Sequence, residues 1–171
     1  MTPSSRGGST PTPDISSHDK FIAAVGQAAQ DSQKETRVPA AVTIAQAILE
    51  SDWGQSLLAT KAQNYFGIKA SSGPGPAGVV SMSTWEVLSG ANVTVQDAFK
   101  AYHNLAESVA DHGHLLADNH RYASAFKFVG DPKQFAQQIA ADGYATDPAY
   151  ASKLIALMDK YNLYQYDLPI P

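Results

Sequence analysis

The stretch VTIAQAILESDWGQSLLATKAQNYFGIK, residues 42–69, organises the rest of this chain. It begins as an apolar run with helical spacing, and the run ends in a carboxylate, Glu50. Trp53 and Gly54 follow directly, and the aromatic patch NYFG comes at 64–67. A carboxyl group at the end of a buried helix, beside aromatic rings, can stay protonated near neutral pH. The remaining sequence is therefore expected to supply the residues that support or face Glu50.

The helix that carries Glu50 is predicted to begin at Pro39 and to run to about Trp53, where Gly54 can end it. Its apolar residues fill one broad arc, so the helix should be buried on most sides. The polar edge is narrow, and Gln46 and Glu50 lie on it one turn apart.

Two effects are expected to raise the pKa of Glu50. The C-terminal end of a helix carries partial negative charge, which disfavours a second negative charge nearby. Burial against Trp53 or other aromatic rings disfavours the carboxylate further. A raised pKa suits a general acid. From the helix alone, however, an ordinary solvated glutamate is the commoner outcome.

Composition limits the class of protein. The chain has 171 residues, 44% hydrophobic and 16% charged, which indicates one globular domain with a proper core. It has no cysteine, no apolar run long enough for a membrane span and no signal-peptide pattern at its start. The net charge of −4, without a basic block, argues against nucleic acid as the main ligand.

The domain is predicted to occupy residues 18–171. Residues 1–17 are nearly all Ser, Thr, Pro and Gly, which is typical of a flexible tail or linker. A first helix is expected from about His18 to Glu35, with Ser17 as its N-cap. A linker at the start indicates that other domains of a longer parent protein precede it.

The middle of the chain changes character. A short helix is expected at 56–62 and a loop at 71–78. Residues 79–88 and 92–102 are rich in β-branched and aromatic side chains, and a Ser-Gly-Ala-Asn turn separates them. This pattern predicts a β-hairpin.

Three further helices are predicted after the hairpin. The first begins near Asn104, with Glu107 as its capping partner. The second and third are opened by Asp-Pro pairs at 131–132 and 147–148, and Gly143 ends the second. The fold class is therefore α+β and mostly helical: a helical lobe and a small β-hairpin lobe with a cleft between them.

Five motifs in order give the sequence a family resemblance. They are AQAILESDWGQS, NYFGIK, TWEVL, FKAY and GYATDPAYASKL. Together they resemble the glucosaminidase family of peptidoglycan hydrolases, glycoside hydrolase family 73, over about residues 18–163. The resemblance implies a lysozyme-like fold and cleavage of the β-1,4 bond between N-acetylglucosamine and N-acetylmuramic acid. By position match it implies that Glu50 is the general acid.

The resemblance also implies a partner for the acid. Glu86 matches the hairpin glutamate that the family places across the cleft. It either activates a water as base, or stabilises positive charge while the substrate's own acetamido group attacks. A solvent-facing strand glutamate is the plainer alternative. Tyr144, in the late Gly-Tyr motif, is expected near the acid, although a packing tyrosine is equally common at such a junction.

Five residues are expected to contact the sugar or to support the site. An aromatic face can pack on the C–H face of a pyranose, and an amide can meet hydroxyl or N-acetyl groups. Asp111 is implied on the helix that faces the cleft. The set is Trp53, Asn64, Tyr65, Phe66 and Asp111.

We expect no metal and no organic cofactor. His112 and His114 are two residues apart, so a helix would point them in different directions. The sequence interpretation is thus an endo-β-N-acetylglucosaminidase that acts as a monomer on peptidoglycan strands, in the periplasm or at the cell wall. Its rivals are a muramidase or lytic transglycosylase of the same fold, and a non-catalytic wall-binding module. Because the chain is acidic, wall targeting is expected to lie in another domain.

Overall fold

A computed structural model describes residues 17–88 and 91–169, and the side chains of residues 17–83 and 94–169. Within these residues the α-helices and strands are, in order, α1 His18–Thr36, α2 Ala40–Ser51, α3 Leu57–Ala62, β1 Gly78–Leu88, β2 Ala91–Ala101, α4 Leu105–Asp118, α5 Pro132–Ala141 and α6 Tyr150–Lys160. Short 3-10 segments occur at Ala70–Ser72, His120–Phe128 and Leu163–Tyr166.

Helix α2 lies at the centre of the helical lobe. It contacts α1, α5, α6 and the last 3-10 segment, and every residue from Ala40 to Ile48 is buried. The predicted burial on most sides is confirmed. Packing from all directions explains why a helix with so little polar surface is stable here.

Both predicted ends of α2 need correction. Pro39 is the N-cap rather than the first helical residue, and the helix ends at Ser51 instead of Trp53. Asp52, Trp53 and Gly54 have φ angles of 50°, 60° and 79°, so the chain leaves the helix through three consecutive left-handed residues. This turn leaves Glu50 in the last turn of the helix.

The N-terminus of α2 is capped by residues distant in sequence, because Pro39 itself provides no side-chain cap. The Asp167 carboxylate accepts a hydrogen bond from the Ala41 amide at 2.8 Å. The Gln33 side chain accepts from the amides of Ala40, at 3.3 Å, and Leu168, at 3.0 Å. The last described residues therefore fasten the start of the central helix.

The predicted hairpin is confirmed. Strands β1 and β2 pair antiparallel from Gly78 opposite Ala101 to Leu88 opposite Ala91. The first two residues of the predicted turn, 89 and 90, lie outside the described residues. At its base the hairpin is joined to the helical lobe by main-chain hydrogen bonds, including Lys100 to Ile68 at 3.0 Å and Tyr102 to Ala62 at 2.8 Å.

The later helices follow the predicted capping signals with one exception. Asn104 and Asp131 cap α4 and α5 as expected, and Gly143 has a φ of 92° after α5. The third helix, predicted to open at 147–148, begins only at Tyr150. Asp147 instead accepts a hydrogen bond from the Ala149 amide, at 2.9 Å, in the turn that precedes the helix.

The architecture confirms the predicted class, a mostly helical α+β fold with one two-stranded sheet in the described part of the chain. None of the helices described is both long and apolar enough to cross a membrane. Residues 1–16 lie outside the described part, so the predicted tail stays a prediction.

Candidate active site

A cleft of about 1030 Å³ opens between the helical lobe and the base of the hairpin. Its walls come from the end of α2, the segment that follows α3, strand β2, α4 with the 3-10 segment after it, and the loop between α5 and α6. The residues lining it include Glu50, Phe66, Gly67, Lys69, Lys100, Asp111, His114, Asn119, His120, Tyr122, Tyr144 and Thr146.

Glu50 reaches the cleft from the last turn of α2, as the sequence predicted. Its side chain is open to the cleft, while the surrounding protein removes part of the water around the carboxyl group. This desolvation raises the pKa of Glu50, and a hydrogen bond from Tyr150 opposes it. The direction of the net shift is the one a general acid requires.

Tyr150 is the site residue that sequence reasoning missed. Its hydroxyl group donates a hydrogen bond to Glu50 Oε2 at 2.9 Å, and only 3% of the residue is exposed. The Gln46 amide donates to the same hydroxyl oxygen at 2.9 Å. The sequence did contain a signal for Tyr150. Gln46 and Glu50 lie one turn apart on a buried helix, and such a pair of polar side chains requires a buried polar partner.

Tyr144 lies beside this pair, as predicted. Its ring stacks on Tyr150 with centroids 5.6 Å apart and an interplanar angle of 19°. Desolvation, together with the charges of Glu50 and Tyr122, raises the pKa of the Tyr144 hydroxyl. Tyr144 therefore stays protonated at neutral pH and is available as a hydrogen-bond donor in the cleft.

Asp111 lies on the opposite wall, on α4, where the sequence placed it. The Tyr102 hydroxyl donates to Asp111 Oδ2, and Lys100 Nζ lies 3.3 Å from the same oxygen. Desolvation and the neighbouring Asp111 raise the pKa of Tyr102. Lys100 of β2 and Tyr102, directly after the strand, thus fix this carboxylate and join α4 to the end of the hairpin.

Phe66 and Gly67 form part of the cleft surface. The Phe66 ring stacks on His112 at 4.0 Å, and 4% of the residue is exposed. Gly67 has a φ of 69°, and a Cβ added there would meet no atom within 4 Å. Its backbone conformation, rather than a lack of space, therefore favours glycine.

Asn64 does not occupy the position that a sugar contact needs. It is 1% exposed, and its amide donates to the carbonyl groups of Ile68 and Lys100, both at 2.9 Å. Its oxygen accepts from the amides of Phe66, at 3.3 Å, and Ile68, at 3.1 Å. Every hydrogen-bonding position of this side chain is used to shape the loop.

Trp53 and Tyr65 are likewise not among the described residues that line the cleft. The Trp53 ring stacks on His18 at 3.5 Å and meets Tyr161 edge-on at 5.1 Å. Tyr65 is 3% exposed and its hydroxyl donates to Gln63 at 3.0 Å. The left-handed turn after α2 carries Trp53 to this aromatic cluster instead of the cleft.

Glu86 lies on β1, opposite Val93 in the strand register. Its side chain is outside the described residues, so its predicted role stays a prediction. The described part of the chain contains no cluster of three or more His, Cys, Asp or Glu side chains suited to a metal ion. His112 is buried, whereas His114 pairs with Glu35 at 2.7 Å, so the two rings point apart as predicted.

Most of the chain matches a known protein family. Residues 26–163 match the family model Glucosaminidase, described as mannosyl-glycoprotein endo-beta-N-acetylglucosaminidase. The catalytic domain of the autolysin Auto from Listeria monocytogenes superposes with a TM-score of 0.78 and 33% identity, covering 92% of this chain and 90% of that one. This likeness agrees with the predicted lysozyme-like fold.

Two curated relatives show the same similarity at the sequence level. The exo-glucosaminidase LytG of Bacillus subtilis is 38% identical over 161 residues, which cover 91% of this chain and 56% of LytG. The peptidoglycan hydrolase FlgJ of Pseudomonas aeruginosa is 34% identical over 155 residues, which cover 88% of this chain and 38% of FlgJ. The chain spans about half the length of these relatives or less.

Proposed function

This chain belongs to the glucosaminidase family, and on that premise we propose that it hydrolyses peptidoglycan between N-acetylglucosamine and N-acetylmuramic acid. The observation that carries the proposal is the Glu50 carboxyl group, which faces the cleft and accepts a hydrogen bond from Tyr150. The cleft of about 1030 Å³ lies at the upper end of the roughly 300–1,000 Å³ of small-molecule pockets, which suits an oligosaccharide.

Glu50 is the proposed general acid. In protonated form it donates its proton to the glycosidic oxygen as the bond to the leaving sugar breaks. Its raised pKa keeps the proton on the carboxyl group at a pH where an ordinary glutamate is ionised. The product then carries a new reducing end on N-acetylglucosamine.

Glu86 is the proposed second carboxylate, carried on β1. It acts either as the base for an incoming water or as a stabiliser of the positive charge that develops on the sugar. Tyr144 is the proposed donor to the substrate beside Glu50. Phe66 and Asp111 are the proposed contributors to the cleft walls that hold the glycan strand.

The proposed place of action is the periplasm or the cell wall, where peptidoglycan strands are the partner. LytG is named an exo-glucosaminidase, whereas the matching family model is described as endo-acting. We propose endo cleavage for this chain, within a longer parent protein whose other domains supply wall targeting.

The test is an analysis of the reducing ends in purified cell walls after digestion. Mass spectrometry of chemically reduced products should show N-acetylglucosamine at the new ends, on fragments longer than one sugar. Reducing muramic acid would show a muramidase, and anhydro-muramic acid a lytic transglycosylase; either result overturns the proposal. Release of single sugars only would show exo cleavage.

A further inference from the structure

The hydrogen bonds behind Tyr150 continue away from the cleft into the core. Gln46 donates to Tyr150 at 2.9 Å, and His112 Nε2 lies 2.7 Å from Gln46 Oε1. Gln46 and His112 are both 0% exposed. Neither is among the described residues that line the cleft. Their series of hydrogen bonds to Glu50 runs through Tyr150, while His112 also packs on the cleft residues Phe66 and Tyr144.

The two ends of the Gln46 amide give this series of hydrogen bonds a direction. Because its nitrogen donates to Tyr150, its oxygen is the end that faces His112. An amide oxygen can only accept, so the proton of the neutral imidazole is on Nε2. The Tyr150 oxygen accepts from Gln46, which leaves the hydroxyl proton directed at Glu50. The three donors, His112 Nε2, the Gln46 amide and the Tyr150 hydroxyl group, therefore all donate in the direction of the Glu50 carboxyl group.

We propose that Gln46 and His112 are positioning residues, which orient Glu50 through Tyr150. The inference rests on the proposed function, since it assumes that Glu50 is the acid. A reversed Gln46 amide would present its oxygen to Tyr150, and the tyrosine would then donate to Gln46 instead of Glu50. The Nε2 proton of His112 opposes that reversal.

A purely structural role explains His112 poorly. Burial lowers the pKa of His112 to about 3, against a smaller opposing effect of Asp111, so the ring is neutral. Its Nδ1 atom has no hydrogen-bond partner in the part of the chain that the structure describes. A buried polar atom without a partner is destabilising. A phenylalanine would keep the stack on Phe66 without that penalty, so packing alone does not favour histidine.

The test is a double-mutant cycle with Tyr150→Phe. Gln46→Met keeps the length of the side chain and removes both polar atoms, and His112→Phe keeps the ring stack. Each single variant should lower kcat/KM on soluble glycan strands by up to about 100-fold, mainly through kcat. In the Tyr150→Phe background, neither change should lower kcat/KM further.

The pH profile separates positioning from packing. Among the described residues, the titratable groups that interact with Glu50 are Tyr144 and Tyr150, both with pKa values raised above their ordinary range. When Gln46 is replaced, Tyr150 loses its fixed orientation, and the alkaline limb of kcat/KM should move to higher pH. A variant that is merely destabilised would lose activity without that movement.

Thr43→Val is the matched control. Thr43 is buried on the same helix, one turn from Gln46, and its hydroxyl group has no partner among the described residues. Its kcat/KM and pH profile should equal those of the wild type. If the Gln46→Met variant does not fold, the double-mutant cycle of His112→Phe with Tyr150→Phe tests the positioning role by itself.

Two outcomes separate the inference from the proposed function. If wild-type protein releases no reducing N-acetylglucosamine, the proposed function fails. If it does, but the Gln46 and His112 variants match wild type, or their losses multiply with that of Tyr150→Phe, the positioning role is wrong and the proposed function stands.

Discussion

At the scale of single residues, the pKa of Glu50 is set by two opposing effects. Desolvation in the cleft raises it, and the hydrogen bond from Tyr150 at 2.9 Å lowers it. The first keeps the proton available for the leaving group, and the second fixes the direction of the carboxyl group. The raised pKa means that activity should be lost as pH rises through it, because the general acid is then ionised.

Tyr150→Phe tests this balance. Phenylalanine keeps the ring stack on Tyr144 and removes the hydroxyl group, so the ionised form of Glu50 loses its donor. The pKa of Glu50 should rise further, and the alkaline limb of the kcat/KM profile should move to higher pH while the maximum rate falls. If the alkaline limb stayed at the same pH or moved to lower pH, Tyr150 would not be the donor that stabilises the ionised form of Glu50.

Sequence reasoning identified part of the site at this scale. Glu50 and Tyr144 were predicted correctly as neighbours in the cleft, since motif order carried that information. Asn64 and Trp53 are not among the described residues that line the cleft, because side-chain direction depends on turns with left-handed residues, and their role in binding or supporting the site stays a prediction. Tyr150 was missed because its role depends on contact between two helices that are 100 residues apart.

Asn64→Ala should destabilise the fold rather than weaken sugar binding. Four hydrogen bonds to buried main chain would be lost, so we expect the free energy of unfolding to fall by about 2–4 kcal/mol. KM should stay near the wild-type value below the unfolding transition. Asn64→Asp, which keeps the two accepted hydrogen bonds, should be less harmful. A raised KM with unchanged stability would favour a sugar contact instead.

At the scale of elements, capping signals predicted the helices better than the connections between them. Ser17, Asn104 and Asp131 each accept a hydrogen bond from an amide in the first turn of the helix that follows. The 3-10 segment at His120–Phe128 was not predicted. It carries His120 and Tyr122 into the cleft wall and packs on α4 and α5, contacts that no local pattern reveals.

Asp167→Ala tests the distant cap on α2. The Asp167 carboxylate accepts from the Ala41 amide, where Pro39 provides no cap. Loss of such a cap should lower the free energy of unfolding by about 1 kcal/mol, measured by urea denaturation. Asp167→Asn is the control, because asparagine caps about as well as aspartate. Equal stability of the wild type and both variants would mean that Gln33 alone is sufficient to cap the N-terminus of α2.

At the scale of the whole molecule, the fold class and the two lobes were predictable, and the width of the cleft was not. The β-branched and aromatic residues of 79–88 and 92–102, with the turn between them, predicted the hairpin, and helical periodicity predicted the helical lobe. The cleft depends on where the hairpin base meets the helical lobe, through main-chain bonds such as Tyr102 to Ala62. Those contacts join distant segments and leave no periodic trace in the sequence.

The charge of the molecule predicts a dependence on salt. The chain carries a net charge of −4, and peptidoglycan walls are anionic. Raising ionic strength from about 0.01 to 0.15 M shortens the screening length from roughly 30 to 8 Å. Digestion of walls should therefore become several-fold faster across this range. Walls with chemically amidated carboxylates should show no such increase, and a decrease on native walls would contradict the charge argument.

The most direct measurement is the release of reducing ends from cell walls by Glu50→Gln. Glutamine keeps the size of the side chain and an acceptor for Tyr150, but it has no carboxyl proton to donate. The rate should fall about 10²–10⁴-fold with a melting temperature no lower than that of the wild type, while Asp31→Asn, a change at an exposed carboxylate on α1, should match wild type. If Glu50→Gln digests walls as fast as the wild type, Glu50 is not the general acid.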